Sequence, residues 1–283
     1  MPRVELESQH RATTGDAQLN DPHVDELRYH IETADDLVFR DPPPIGDETG
    51  AFRMALAEGV ATFEMKEHHP SAETARIPVE EYLRTWEIDL ALQRGRTSLW
   101  FVFDGAQVVD RDPPPSPPPG TPITREVTDA QGISDSVRPS LTKGEYPTPP
   151  ENFVADVDTR AMWEQYERYL QGRDRLLPMA YSCLSRLEFK ARFHPVKGKR
   201  QKAASMYRID YEVLDKLGEL TNKLGDEVGA RKLSSQSELR PPNPQEIAWT
   251  EATLRRIIRR AGEYAADPQK QWSQITMSDL PRL

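Results

Sequence analysis

The stretch GVATFEMKEHH (59–69) carries a carboxylate and an amine two residues apart, at Glu64 and Lys66. Its alternation of apolar and polar residues predicts a strand. Successive side chains of a strand point to opposite faces, so Glu64 and Lys66 point the same way. A carboxylate is a ligand that Mg²⁺ prefers, and an ammonium group stabilises the negative charge of a phosphate. The same pair also fits a solvated strand face, on which cross-strand charge pairs are common. We favour this structural role.

The stretch resembles the Glu-x-Lys strand of restriction-endonuclease-like nucleases. It lies between a predicted hairpin and a predicted helix, as that family requires, and Asp47 in IGDETGAF stands near the position of the family's aspartate. The resemblance covers residues 47–103. It implies that Asp47 and Glu64 hold Mg²⁺ and that Lys66 stabilises the charge at the scissile phosphate. A Mg²⁺-dependent nuclease is therefore one alternative function.

A second set of candidate residues lies in RLEFKARFHPVKGKRQKAASMYR (186–208), a predicted loop with the highest local density of charge in the chain. The residues that could contact nucleic-acid phosphates are Lys190, Arg192, Lys197, Lys199, Arg200 and Lys202. Such contacts supply affinity without reading the base sequence. The alternative is a solvated loop whose aromatic residues, Phe189, Phe193 and Tyr207, anchor it to the helices.

The chain shows no spacing typical of a metal site, and neither a phosphate loop nor a nucleophile elbow. His68 and His69 are adjacent in an extended segment, so their side chains point apart. The single cysteine, Cys183, lies beside apolar residues at helical spacing, which predicts a buried side chain. We therefore expect no metal and no cofactor, and we favour a protein that is not an enzyme.

Charge divides the 283 residues into two unlike halves. The net charge is −9, yet residues 151–283 hold 23 Lys and Arg against 19 Asp and Glu, while residues 1–150 hold 14 against 27. This asymmetry predicts two modules with different surfaces. The arginines of LRRIIRR (254–260) either extend the basic surface or dock against the acidic half. The chain shows neither an apolar leader nor an apolar run of membrane-spanning length, so we expect a cytoplasmic protein without membrane contact.

The predicted N-terminal module spans 23–150, after a disordered segment 1–22. Its strands are expected at 26–39, on both sides of a turn at Glu58-Gly59, and on both sides of a second turn at Asp104-Gly105. Between them, SAETARIPVEEYLRTWEIDLALQRG (71–95) has helical periodicity and a terminal glycine. A Pro-rich connector, 112–122, and one weak hairpin around Gln131-Gly132 complete this module.

The predicted C-terminal module, 151–283, is an all-α bundle of four to five helices. The last helix has the clearest start, because Asn243, Pro244 and Glu246 fit a cap, a first-turn proline and a capping box. A short helical segment, 227–233, is expected before it. The fold class is thus α+β: a mixed sheet module with one packed helix, followed by the bundle.

The bundle resembles the HEPN domains of bacterial toxin and phage-defence proteins, in its all-α character and long amphipathic final helix. Those RNases use an arginine followed, after four to six residues, by a histidine. His194 is the one histidine of the C-terminal half, and Arg186 and Arg192 lie at other spacings, while Arg3 and His10 match only within the N-terminus. The resemblance therefore implies a non-catalytic version of that bundle. The layout of a sheet module followed by a bundle also resembles an uncharacterised bacterial family, to which no activity is attached.

Three functions follow from these patterns. The leading hypothesis is a non-enzymatic cytoplasmic bacterial adaptor with a protein partner, in a host-defence or toxin-related system. The alternatives are the nuclease of Asp47, Glu64 and Lys66, and a nucleic-acid binding module that acts through the basic loop 186–202.

Overall fold

The structure is a computed structural model that describes residues 20–34, 37–112, 141–224 and 240–283. Most of the predicted disordered terminus and of the Pro-rich connector lies outside these ranges. So do the weak hairpin at Gln131-Gly132 and the short segment 227–233. The α+β class is confirmed, because an antiparallel sheet is followed by helices.

Five strands form the N-terminal sheet, in the spatial order β3-β4-β5-β1-β6. Every neighbouring pair in this sheet is antiparallel. A separate parallel pair is made by β2 and β7. The strands are β1 (Pro22–Thr33), β2 (Leu37–Phe39), β3 (Ile45–Glu48), β4 (Phe52–Ala57), β5 (Val60–Met65), β6 (Leu99–Asp110) and β7 (Leu141–Lys143). The single strand predicted at 26–39 is thus two strands, which belong to different sheets.

The two predicted turns have different outcomes. Glu58 and Gly59 have positive φ angles of 52° and 78° and join β4 to β5, as a two-residue hairpin turn requires. The turn at Asp104-Gly105 was wrong, because β6 runs through both residues. Arg28 pairs with Gly105 and its neighbour Tyr29 pairs with Phe103, so Asp104 is the extra residue of a β-bulge.

Helix α1 (Ala72–Arg94) begins at Ser71, whose side chain accepts a hydrogen bond from the Thr74 N–H, and ends at Gly95 with a φ of 79°. Its N-terminal part packs on the sheet through buried side chains such as Val79 and Trp86. Its C-terminal part belongs to the core of the helical half, through Ile88, Ala91 and Leu92. One helix therefore contributes to both cores, and the domain boundary at 150 stays a prediction.

The described part of 151–283 contains five α-helices, in agreement with the predicted four to five. They are α2 (Val157–Leu170), α3 (Leu176–Lys190), α4 (Lys199–Tyr207), α5 (Tyr211–Lys223) and α6 (Pro244–Ala266). Cys183 is fully buried on α3, as predicted. The capping box of Asn243 and Glu246 is present at the start of α6. None of the described helices is long and apolar enough to cross a bilayer.

Candidate interaction surface

The residues of the nuclease hypothesis are divided between the two faces of the sheet. Residues opposite each other on paired strands share a face, and neighbours along a strand alternate. Asp47 pairs with Met54, which is buried beneath α1. Glu64 pairs with Arg53, which lies on the outer face.

Asp47 is engaged on the helix side, where its Oδ2 accepts a hydrogen bond of 2.7 Å from the Tyr82 hydroxyl. Asp47 and Glu64 therefore cannot bind one cation, and their predicted grouping is wrong. The sequence pattern could not show this, because the face that Asp47 takes depends on its pairing with β4.

Charge pairs on the outer face of the sheet account for Glu64 and Lys66, as the structural interpretation predicts. The Glu64 carboxylate lies 3.0 Å from Arg53, and Lys66 lies 2.8 Å from Glu48. The hydrogen bond and the charge of Lys66 lower the pKa of Glu48. Among the described residues, no group of three or more His, Cys, Asp or Glu side chains could hold a metal ion.

The basic segment forms less loop than predicted. Lys190 lies on the last turn of α3, residues 191–193 form one 3-10 turn, and Lys199, Arg200 and Lys202 lie on α4. Helix α4 lacks an apolar stripe of large residues, since its buried side chains are Ala203, Ala204 and Tyr207. The sequence signal for this helix was therefore weak.

Two of the six candidate cations are neutralised by neighbouring helices. Lys190 lies 2.9 Å from Asp158 at the start of α2, and their hydrogen bond raises the pKa of Lys190. Arg200 lies 2.6 Å from Asp215 on α5 and 3.3 Å from Glu188 on α3. These two residues hold helices together and leave little charge for a ligand.

The other candidate cations remain at the surface. Lys197 and Lys199 are exposed, and neither forms an ion pair with another described residue. Lys202 donates from Nζ to the Arg192 carbonyl oxygen at 2.6 Å, and so holds the 3-10 turn against α4.

Arg192 lies between two aromatic rings that stand in solvent. Its guanidinium carbon is 3.9 Å from the ring centroid of Phe189 and 4.4 Å from that of Phe193. Its Nη1 donates to the Phe189 carbonyl oxygen at 2.9 Å, which fixes the stack. Phe189 is 64% exposed and Phe193 is 84% exposed. We call Phe189, Arg192, Phe193, Lys197 and Lys199 the tip patch.

The tip patch departs from the expectation that the aromatic residues anchor a loop. Only Tyr207 does so, since it is buried and packs edge-on against Tyr264 of α6. Phe189 occupies an exposed face of the last turn of α3, and Phe193 is the last residue of the 3-10 turn beyond it. Large rings exposed to this degree bury little area in the folded chain, so packing does not explain them.

The arginines of α6 have a different environment. Arg259 docks onto the acidic half, because its Nε lies 2.8 Å from the buried carboxylate of Asp89 on α1. Arg260 is buried in the bundle and donates to the carbonyl oxygens of Tyr207 and Ser273. Arg259 confirms the docking alternative for one arginine, whereas Arg260 is bound within the bundle itself. The basic surface does not extend to them.

Comparisons of the chain with protein-family models, with curated proteins and with solved structures found no match. The resemblance to HEPN domains stays a prediction.

Proposed function

We propose that the chain is a non-enzymatic binding protein, an adaptor, which presents the tip patch to an acidic partner protein. The observation that carries the proposal is the stack of Phe189, Arg192 and Phe193, held together at the surface. Aromatic residues and arginine contribute most of the binding energy at protein interfaces. Because Arg192 already fixes both rings, little side-chain entropy is lost when a partner covers them.

The charge around the stack selects the partner. Lys197 and Lys199 add two positive charges that no described residue neutralises, beside that of Arg192. An acidic surface with an apolar recess complements this combination, with the rings in the recess and the amines at its rim. The attraction is electrostatic in part, so binding should weaken as salt increases.

The proposal includes a cytoplasmic location and a role as one component of a larger bacterial system. A chain whose single cysteine, Cys183, is buried needs no oxidising compartment to fold, which is compatible with this location. Host defence is the setting that the HEPN resemblance implies, and it rests on that resemblance alone.

Single-stranded nucleic acid is the second candidate partner, and the same exposed rings favour it. Bases stack on aromatic and guanidinium planes, and nearby lysines attract phosphates. The engagement of Lys190 and Arg200 with carboxylates leaves fewer cations for a phosphate backbone, so we place the protein partner first.

The test measures binding of the full chain to three immobilised probes by biolayer interferometry. The probes are a short synthetic peptide of alternating glutamate and leucine, its lysine counterpart, and an oligothymidine strand. We expect binding to the acidic peptide alone, with a loss of about tenfold or more in affinity for Phe193→Ser.

A matched control is Ile77→Ser, which removes an apolar side chain that is 62% exposed on α1, a helix that carries no residue of the tip patch. This variant should bind like the wild type. Binding of the oligonucleotide in preference to the acidic peptide would replace the proposal with the second candidate. Equal loss in both variants, or no binding to the acidic peptide, would contradict the tip patch as its site.

A further inference from the structure

A pocket of about 430 Å³ lies between the last turns of α1 and the middle of α6. Leu92 and Ala252 form an apolar part of its wall, and three arginines, Arg255, Arg256 and Arg259, also line it. Its volume is within the range of small-molecule sites in proteins. The pocket shares no residue with the tip patch.

Two of the three arginines form no ion pair with a carboxylate in the part of the chain that the structure describes. Arg259 is satisfied by Asp89 and Glu263. Neither Arg255 nor Arg256 forms an ion pair with any residue in the described ranges. The Nε of Arg255 is also buried without a hydrogen-bond acceptor. A buried, unpaired donor on a charged group is unfavourable, and such groups in folded proteins are commonly satisfied by a bound ion or water.

The one carboxylate among the residues that line the pocket belongs to Asp279. It is engaged by Thr276, so it does not neutralise the arginines in place of a bound anion. Asp279 lines the rim, but its Oδ2 accepts hydrogen bonds of 2.8 Å from both the backbone N–H and the hydroxyl of Thr276. The backbone hydrogen bond is the main cause that lowers the pKa of Asp279, and the charge of Arg256 adds to it from a distance. The chain as a whole is acidic, so two unpaired guanidinium groups in one concave site are unusual for it.

We propose that this pocket binds a small phosphate monoester. Two unpaired guanidinium groups match the double negative charge of such a group, and their planar N–H forks fit phosphate oxygens in pairs. The organic part of the ligand lies against Leu92 and Ala252. The Asp89–Arg259 ion pair separates this site from the neighbouring pocket at Trp86 and keeps Arg259 turned toward α1.

The test is isothermal titration calorimetry of the full chain with phenyl phosphate, at constant ionic strength set with chloride. We expect one saturable site in the wild type. Arg255→Gln and Arg256→Gln should each weaken binding by roughly tenfold to a hundredfold, the usual effect of losing a charge-assisted hydrogen bond. Arg53→Gln, on the outer face of the sheet, is the matched control and should leave the affinity unchanged.

Two further arms make the outcome decisive. Arg256 is exposed, so Arg256→Gln retains the fold even if Arg255→Gln does not. Ala252→Leu fills the pocket and keeps all three arginines, and it should abolish binding. Benzoate, with a single charge and a similar ring, should bind at least about tenfold more weakly than phenyl phosphate. The proposal is overturned if the wild type shows no saturable heat, if Arg256→Gln binds normally, or if Ala252→Leu binds as the wild type does.

Discussion

The arginine stripe of α6 (Arg255, Arg256, Arg259 and Arg260) and the tip patch are both basic stretches, but the fold pairs two arginines of the stripe and leaves the cations of the tip in solvent. On α6, Arg259 and Arg260 point into the molecule and are satisfied by carboxylates and carbonyl oxygens. At the tip, Lys197 and Lys199 stand in solvent and Arg192 stacks between exposed rings. The comparison shows that a run of cations is structural where acceptors surround it, and is free for recognition where they do not.

The largest expected loss of stability comes from replacing Arg260, the buried arginine of the stripe. Arg260 is 4% exposed, and its guanidinium group serves Glu263 and the carbonyl oxygens of Tyr207 and Ser273. Arg260→Ala should lower the free energy of unfolding by about 3–5 kcal/mol. It leaves the carbonyl oxygens of Tyr207, Arg208 and Ser273 without this donor and removes the closer of the two arginine partners of Glu263. Urea denaturation followed by circular dichroism measures this change. A loss below about 1 kcal/mol would contradict the structural role.

A smaller loss is expected where the stripe meets the acidic half. Arg259→Ala removes one partner of the buried Asp89 carboxylate, to which, among the described residues, only the hydrogen bond from Gln93 is left. We expect a destabilisation of about 1–3 kcal/mol in the same measurement. The matched control is Arg256→Ala on the same helix, which breaks no ion pair in the described structure and should stay within about 0.5 kcal/mol. Equal effects of both variants would show that the Arg259–Asp89 contact adds nothing.

The N-cap of α6 tests how much local capping contributes to the stability of this helix, apart from the contacts of its arginines. Asn243 accepts a hydrogen bond of 2.9 Å from the Glu246 N–H. Asn243→Ala should therefore cost about 1 kcal/mol, whereas Asn243→Asp keeps the acceptor and should cost much less. Thermal unfolding of the two variants distinguishes them. Identical midpoints would contradict the cap.

The outer face of the sheet should respond weakly. Glu64→Gln removes an exposed ion pair with Arg53, and such pairs contribute little in water. We expect a change of about 0.5 kcal/mol or less in urea denaturation, and the same for Lys66→Ala. Addition of Mg²⁺ should leave the melting temperature of the wild type unchanged. A rise in melting temperature that is absent in Glu64→Gln would support a metal site at Glu64, although Asp47 lies on the other face of the sheet.

The smallest effect on stability is expected at the tip patch. Phe193 is 84% exposed, so Phe193→Ser removes almost no buried apolar area. Its thermal midpoint should equal that of the wild type, although the variant loses partner binding. A clear loss of stability would show that the ring packs in solution, and would turn the tip patch into a structural feature.

Local signals in the sequence were enough for several elements. Glu58-Gly59 predicted the β4–β5 hairpin, Gly95 predicted the end of α1, and Asn243 with Glu246 predicted the start of α6. Each of these elements depends on backbone conformation or capping within a few residues. The local sequence therefore predicts it without contacts from distant parts of the chain.

Elements that depend on partners distant in sequence were missed. Asp104-Gly105 has the composition of a turn, but pairing with β1 across the whole of β6 makes it a bulge. The sequence predicts a loop where helix α4 forms, because small residues such as Ala203 and Ala204 pack there in place of a stripe of large apolar residues.

The sequence by itself determined the two-part α+β architecture, the caps and turns, and the residues from which a site could be built. The tertiary structure alone decided which of those residues meet. It placed Asp47 and Glu64 on opposite faces of one sheet, and it satisfied Arg259 and Arg260 while leaving Phe193 in solvent. The physical reason is that strand pairing and helix docking join residues far apart in the chain. Whether a side chain has a partner depends on those contacts, and its residue type does not reveal it.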